Sequence, residues 1–179
     1  LPPFAESLSA RTKKDLEKLE VEVLLNSAVK KVEHRKIELS DGKIIDSEIT
    51  IWAAGVTGSP AITKLNLPTE RGRIKVEKTL QVSNYPYIWA IGDNAGAIDK
   101  TGRFLPMVAP VAIQQGKFLA KQIKRISDGK PLEDFKYLDK GSMATIGRHK
   151  AIVEVKGLKM TGVLAWYAWL WLHLFYLLG

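Results

Sequence analysis

The chain has 179 residues, 46% of them hydrophobic and 26% charged, with a formal net charge of +8. That balance excludes wholesale disorder, and the length suffices for one or two packed domains. There is no cysteine, which removes disulfides, thiolate nucleophiles and Cys-based metal sites from consideration.

The chain opens on Leu1-Pro2-Pro3-Phe4 without an initiator methionine and without a secretory pattern, so it is expected to begin inside something larger. Ser9 is placed to cap a helix running to about Leu19, with Leu16 and Leu19 on its apolar side. Alternation in Val21, Val23 and Leu25 predicts a strand, and Val29 and Val32 start another extended piece. Ile37 and Leu39 run into Asp41-Gly42, a strong hairpin signal, with Ile44 on the return strand. Ile49, Ile51 and Trp52 predict a buried strand that stops at Ala53-Ala54-Gly55.

Further along, Ile74 and Val76 alternate, and the apolar run Tyr87 to Ile91 closes on Gly92-Asp93. Pro110 suits the first turn of a helix, where its missing N–H has no intrahelical partner, and the helix is expected to reach about Ile126. Its one side carries Val111, Gln115, Phe118, Leu119, Gln122 and Ile126; the other carries Lys117, Lys121, Lys124 and Arg125. Ser127-Asp128-Gly129-Lys130-Pro131 ends it. Residues 151–156 alternate as a half-buried strand, and from Gly162 the chain is apolar on every face.

The basic surplus could serve nucleic acid, anionic lipid or an anionic cofactor. The lysines are dispersed rather than interleaved with aromatics, and Val163 to Gly179 carries no charge with His173 neutral, so nucleic acid is not an expected partner. Those 17 residues include Trp166, Tyr167, Trp169, Trp171, Phe175 and Tyr176. As a helix they would reach ~25 Å, short of a roughly 30 Å hydrocarbon core, and Trp and Tyr favour the membrane–water interface. Lys156 and Lys159 stand ready for anionic head groups. The competing expectation is a core helix or a homodimer helix. His173 has no His or carboxylate at i±3 or i±4 and reads as a packed or interfacial group, while His34 and His149 sit among charged residues and read as surface groups.

Three segments carry the chemistry. Trp89-Ala90-Ile91-Gly92-Asp93 ends an apolar strand in a carboxylate, at the edge where ligands bind in open α/β folds. Asp93 there can accept hydrogen bonds from sugar or ribityl hydroxyls; taken alone, the same residues also fit an ordinary Gly-Asp turn. The start of the downstream helix, Ala109-Pro110-Val111-Ala112-Ile113-Gln114-Gln115-Gly116, offers a positive dipole end to a flavin. Gln114 and Gln115 fit either a solvated first turn or amides lining a quinone or flavin pocket. The small residues of Trp52-Ala53-Ala54-Gly55 let a planar ring or pyrophosphate approach, or mark tight packing.

Together these segments resemble the two-dinucleotide-binding-domain flavoproteins, and within them the type II NADH:quinone oxidoreductases. The resemblance rests on Leu1-Pro2-Pro3, Ser40-Asp41-Gly42, Ile51-Trp52-Ala53-Ala54-Gly55-Val56, Ala90-Ile91-Gly92-Asp93 and Ala144-Thr145-Ile146-Gly147-Arg148, spread over the whole chain. It implies an α/β, partial Rossmann-like flavoprotein with a membrane-associating helical tail. The implied divisions are the C-terminal half of an NADH domain (1–56), the C-terminal part of an FAD domain (57–127), and a sheet and helix region with the anchor (128–179). The implied cofactor is FAD, with NADH and a membrane quinone as substrates. Gly92 and Asp93 would meet the FAD ribityl chain, Ala112 and Ile113 the isoalloxazine, Ala54 and Gly55 the nicotinamide, and Gln114 and Gln115 the quinone. The implied location is monotopic, on the cytoplasmic face of a bacterial inner membrane.

Two departures accompany the resemblance. Many members have Ala-Gln-x-Ala-x-Gln where this chain has Ala109-Pro110-Val111-Ala112-Ile113-Gln114, so Pro110 inherits no amide role. No Gly-x-Gly-x-x-Gly occurs, so both pyrophosphate loops are expected upstream of Leu1, and this chain alone is expected to be inactive. Zero cysteines count against a sulfide:quinone oxidoreductase, and no acid–base His or dimerisation domain of a disulfide reductase is seen. The alternative from another class is a module that only binds membranes or self-associates.

Overall fold

The computed structural model describes residues 4–177. In chain order the helices are α1 (Glu6–Glu17), α2 (Ala109–Ser127) and α3 (Gly162–Leu177). The strands are β1 (Val29–Glu33), β2 (Lys36–Leu39), β3 (Ile44–Asp46), β4 (Thr69–Glu70), β5 (Arg73–Ile74), β6 (Gln81–Val82), β7 (Tyr85–Trp89), β8 (Ser142–Thr145), β9 (Ala151–Val155) and β10 (Leu158–Thr161). Short 3-10 turns occupy Pro60–Lys64 and Gly92–Asn94.

The chain divides into two compact units. One takes the chain up to Trp52 together with everything from Lys140 on; the other is Ala53–Asp139. The expected divisions at 56 and 127 both fall within the second unit. Residues 128–139 stay with the second unit because Phe135 and Tyr137 pack on its core and the Phe135 N–H bonds the Lys78 carbonyl at 2.8 Å.

In the first unit, the antiparallel sheet β10-β9-β8 is covered on both faces. The period-2 alternation of β9 explains this. Ile152 points to one side, where Leu8 and Leu16 of α1 and Phe4 pack with Ile146. Ala151 and Val153 point to the other, where Ala165, Trp166 and Trp169 of α3 pack. Each fully buried aliphatic side chain here stabilises the unit by roughly 1.5–3 kcal/mol. α1 begins three residues before Ser9, without a side-chain cap. Its start is tied instead by the Ala5 N–H, which donates to the Glu154 carboxylate at 2.8 Å. Buried Asp15 on α1 accepts from Arg11 Nε at 2.9 Å and lies 3.5 Å from Lys150 Nζ. The Arg11 hydrogen bond, ahead of the Arg11 and Lys150 charges, holds its carboxyl below the usual range against the opposing effect of desolvation.

The hairpin at Asp41-Gly42 joins β2 and β3 as expected, with the Asp41 carboxylate accepting the Lys43 N–H at 2.9 Å. Two predicted strands do not form. Val21–Leu25 is irregular, and Ile49–Trp52 is irregular and exposed, Ile51 to 85%. A strand exists only through a neighbour's ladder, and no described strand pairs with either segment. The expected Rossmann-like parallel sheet is not seen among the described residues: the named strands all pair antiparallel, and the one parallel link is the bridge Ile74↔Ala95.

In the second unit, Ile62, Ile74, Val82, Ala90 and Ala95 form one cluster. Leu80, Ala97, Leu105 and Val111 form another, against which Phe118, Phe135 and Tyr137 pack. Helix α2 matches its predicted span within a residue or two, and buries Val111, Gln115 and Gln122. Helix α3 also forms where the tail was expected. No described helix is long and apolar enough to cross a membrane.

Candidate functional site

β7 delivers the chain to Gly92 and Asp93 at its carboxyl end, where the backbone turns through the 3-10 segment Gly92–Asn94. Gly92 has φ +65°, and a Cβ there would lie 3.6 Å from the Ala112 Cβ. Space therefore exists for a methyl group, but the left-handed backbone favours glycine by about 1–2 kcal/mol. The turn is held from two directions. The Gly92 N–H donates to Gln115 Oε1 on α2 at 2.6 Å, and Asn94 Oδ1 accepts the Ser59 N–H at 2.8 Å. Between these clasps the Asp93 side chain is exposed.

Behind the turn lies a cation. Arg73 Nη1 donates to the Leu105 carbonyl at 2.7 Å, and its guanidinium stacks 5.3 Å from the centre of the Phe104 ring. Burial draws the Arg73 guanidinium below its usual value, and the Asp93 charge opposes that shift. Arg71 stacks on the same ring at 5.7 Å. The pattern of apolar residues gave no hint of Arg73 or Asn94; Asn94 was signalled only by its place directly after Gly-Asp.

The amino end of α2 is less open than its sequence implied. Pro110 has no N–H, and the Val111 and Ala112 amides both donate to the Val108 carbonyl, at 3.0 and 3.3 Å. The Ala109 amide is the first-turn donor left without a partner among the described residues. The dipole end remains, and Ala112 stands against Gly92 while Ile113 is 43% exposed.

The adjacent glutamines face different segments, as residues about 100° apart on a helix must. Gln114 exchanges two hydrogen bonds with the Leu138 backbone, each 3.0 Å. Gln115 is 1% exposed with its carbonyl on the Gly92 amide, which takes it out of the solvent-open lining expected of a quinone contact. Its place on the Val111–Gln122 side of the helix was already visible in the sequence. Ala54 and Gly55 lie on an exposed loop, where Gly55 has φ +87° and nothing lies within 4 Å of a Cβ built on it. This loop leads into Gly58, whose Cβ would collide with the Gly72 carbonyl oxygen.

The site residues in this unit thus form an acidic turn at a strand end, clasped to the start of a helix, with an open small-residue loop earlier in the chain. The chain belongs to the pyridine nucleotide-disulphide oxidoreductase family, which it matches over residues 1–116. Within that family it is 38% identical, over its whole length, to the type II NADH:quinone oxidoreductase NdhA of Mycobacterium tuberculosis, and 36% identical to the type II NADH:quinone oxidoreductase Ndh of the same organism. It spans 40% of the length of each. The solved structure of NDH2 from Plasmodium falciparum in complex with NADH shares its fold, with a TM-score of 0.80 and 19% identity over 93% of this chain and 50% of that one.

Proposed function

We propose that this chain is the C-terminal portion of a type II NADH:quinone oxidoreductase, which passes electrons from NADH through FAD to a membrane quinone. The observation that carries the reading is the exposed Asp93 carboxylate, presented on a turn clasped from both sides, in a chain whose relatives bear that name. The residues fit FAD: an acceptor for ribityl hydroxyls, a small Ala112 surface for a ring, and a helix dipole end beside it. When bound, FAD supplies the hydride acceptor and the donor to quinone.

The chain's own residues bind and orient. Asp93 accepts hydrogen bonds from the ribityl chain, and Gly92 lets the cofactor approach the backbone. Ala112 and Ile113 would flank the isoalloxazine, with the α2 dipole end beside it offering a favourable setting for negative charge. The open backbone at Ala54 and Gly55 receives the nicotinamide. Gln114 retains one Nε2 hydrogen beyond its Leu138 clasp, available to a quinone carbonyl. The irregular segments Val21–Leu25 and Ile49–Trp52 take their strand partners from the portion of the relatives that this chain does not span.

Helix α3 supports association with a lipid surface. One stripe is fixed to the sheet through Ala165, while Leu164, Trp171, Phe175 and Leu177 are each exposed by 69% or more. A monotopic placement on the cytoplasmic face of a bacterial membrane suits a substrate dissolved in the bilayer. Coverage of the same stripe by a second copy is the competing arrangement, and sedimentation in detergent-free buffer separates the two.

The test is a protein extended to the length of its relatives, purified in detergent, with its visible spectrum recorded as NADH and then a soluble quinone are added. Flavin absorbance bleached by NADH and restored by quinone is the expected result, with Asp93→Ala losing FAD. A folded, colourless protein that binds liposomes would leave only the membrane-binding module.

A further inference from the structure

We propose that Gln115 is the positioning residue of the cofactor turn: its side-chain carbonyl fixes the Gly92 amide and thereby sets the aim of the Asp93 carboxylate. The inference rests on the reading of Asp93 as an FAD ligand. It assigns to Gln115 a role different from contact with quinone.

Gln115 is buried on α2, four residues after Val111 and three before Phe118, where an aliphatic residue of the same volume would cost less to desolvate. A buried amide is tolerated when its hydrogen bonds are made, and this one is made at 2.6 Å to a backbone N–H. The donor it meets is significant. Gly92 stands one residue before Asp93 and carries φ +65°, a setting glycine enters and leaves freely, so the aim of the turn depends on what ties its backbone. Without the carbonyl of Gln115, the Gly92 N–H would be left unpaired against Ala112, and the turn would rotate to find another acceptor. Rotation about Gly92 swings the Asp93 side chain directly. The Asn94 clasp to Ser59 fixes the far end of the turn, so Gln115 controls the near end.

The geometry separates this role from general packing. Phe118 lies one turn further along the same helix and packs on the core around Leu80, with no hydrogen-bonding group to offer the turn. Loss of Phe118 contacts should lower stability without redirecting Asp93. Loss of the Gln115 acceptor should redirect Asp93 with a smaller cost to the core, because methionine fills nearly the same volume.

The experiment uses the protein extended to the length of its relatives, with Gln115→Met, Gln115→Glu, Phe118→Leu and Asp93→Ala. Three quantities are read: the FAD dissociation constant from released-flavin fluorescence, the thermal midpoint of the FAD-free protein, and amide exchange at Gly92. Gln115→Met is expected to weaken FAD binding about tenfold, the effect of one lost hydrogen bond, and to speed Gly92 exchange. Gln115→Glu, which keeps an acceptor for the Gly92 N–H, should restore binding to within about threefold of wild type. Phe118→Leu should lower the thermal midpoint and leave FAD affinity unchanged. The proposal is overturned if Gln115→Met binds FAD as tightly as wild type, or if its loss merely follows its midpoint as Phe118→Leu does. A rise in quinone KM with FAD fully retained also overturns it. A wild-type protein that holds no flavin, or an Asp93→Ala protein that holds it normally, brings down the flavin reading and this inference together.

Discussion

Gln114 grips the backbone of Leu138 in both directions: its Oε1 accepts the Leu138 N–H and its Nε2 donates to the Leu138 carbonyl, each at 3.0 Å. The pairing imitates one rung of an antiparallel ladder, with a side-chain amide in place of a second strand. It fastens the end of the segment that follows α2, whose aromatic residues Phe135 and Tyr137 cover the Leu80 core.

Gln114→Leu should therefore destabilise the second unit by about 1–2 kcal/mol, the value of two partly exposed hydrogen bonds. Urea unfolding measures the loss, and amide exchange should show residues 132–138 opening before α2 does. A quinone KM that also rises would support the contact proposed for the remaining Nε2 hydrogen. A variant with unaltered stability and exchange would show that the clasp contributes nothing.

Gly58→Ala tests the loop that precedes the turn. The added Cβ has no room beside the Gly72 carbonyl oxygen and approaches Asn94 Oδ1 at 3.4 Å. A backbone carbonyl cannot swing away as a flexible side chain would. The expected cost is about 1–3 kcal/mol of stability, with the Ser59–Asn94 bond weakened in step. Thermal unfolding and exchange at the Ser59 amide read both effects.

Arg11→Met tests the buried ion pair. Folding lowers the carboxyl pKa of Asp15, so its contribution to stability is present above the unfolded value of about 3.9 and is lost as the pH falls through the folded value. Removing Arg11 should cost about 1.5–3 kcal/mol near neutrality, because Lys150 alone then faces a buried carboxylate. The difference between wild type and variant should shrink below about pH 4, as Asp15 takes up its proton in both. Denaturant midpoints measured from pH 7 to pH 3 would check this; a gap that stays constant with pH would show that the Asp15 charge is not the cause.

Two substitutions on α3 should act oppositely. Trp171→Glu changes an exposed position and should abolish liposome flotation while leaving the unfolding free energy within about 0.5 kcal/mol of wild type. Ala165→Leu enlarges a fully buried position against Ala151 and Val153, and should cost about 1–3 kcal/mol. Flotation that survives Trp171→Glu would argue against the exposed stripe as the lipid contact.

Local signals in the sequence were dependable where the partner lay nearby. The Asp41-Gly42 hairpin, α2 with its Pro110 start, and the alternation of β9 all follow from turn chemistry and periodicity, and all formed. The half-buried character expected of residues 151–156 did not hold, because Ile152 meets α1 on one face while Ala151 and Val153 meet α3 on the other. Val21–Leu25 and Ile49–Trp52 read as strands because they are apolar, but pattern alone cannot say whether a neighbour is present to pair with them. The α1 boundary moved because Glu154, far along the chain, supplied the tie that Ser9 was expected to give. At the site, Gly92 and Asp93 were legible from strand-end chemistry. The separate tasks of Gln114 and Gln115 were not, because one meets Leu138 and the other meets Gly92 only once the chain has folded.

The two-sided character of α3 couples surface to interior. Its Ala165 stripe is the lid over Ala151 and Val153, while its other side meets solvent with large apolar rings. Whatever shields those rings from water also holds the lid down, by mass action on the folded state alone. The melting temperature of the first unit should then climb with detergent or lipid concentration, so that the protein's durability becomes a property of the medium around it as much as of its own contacts.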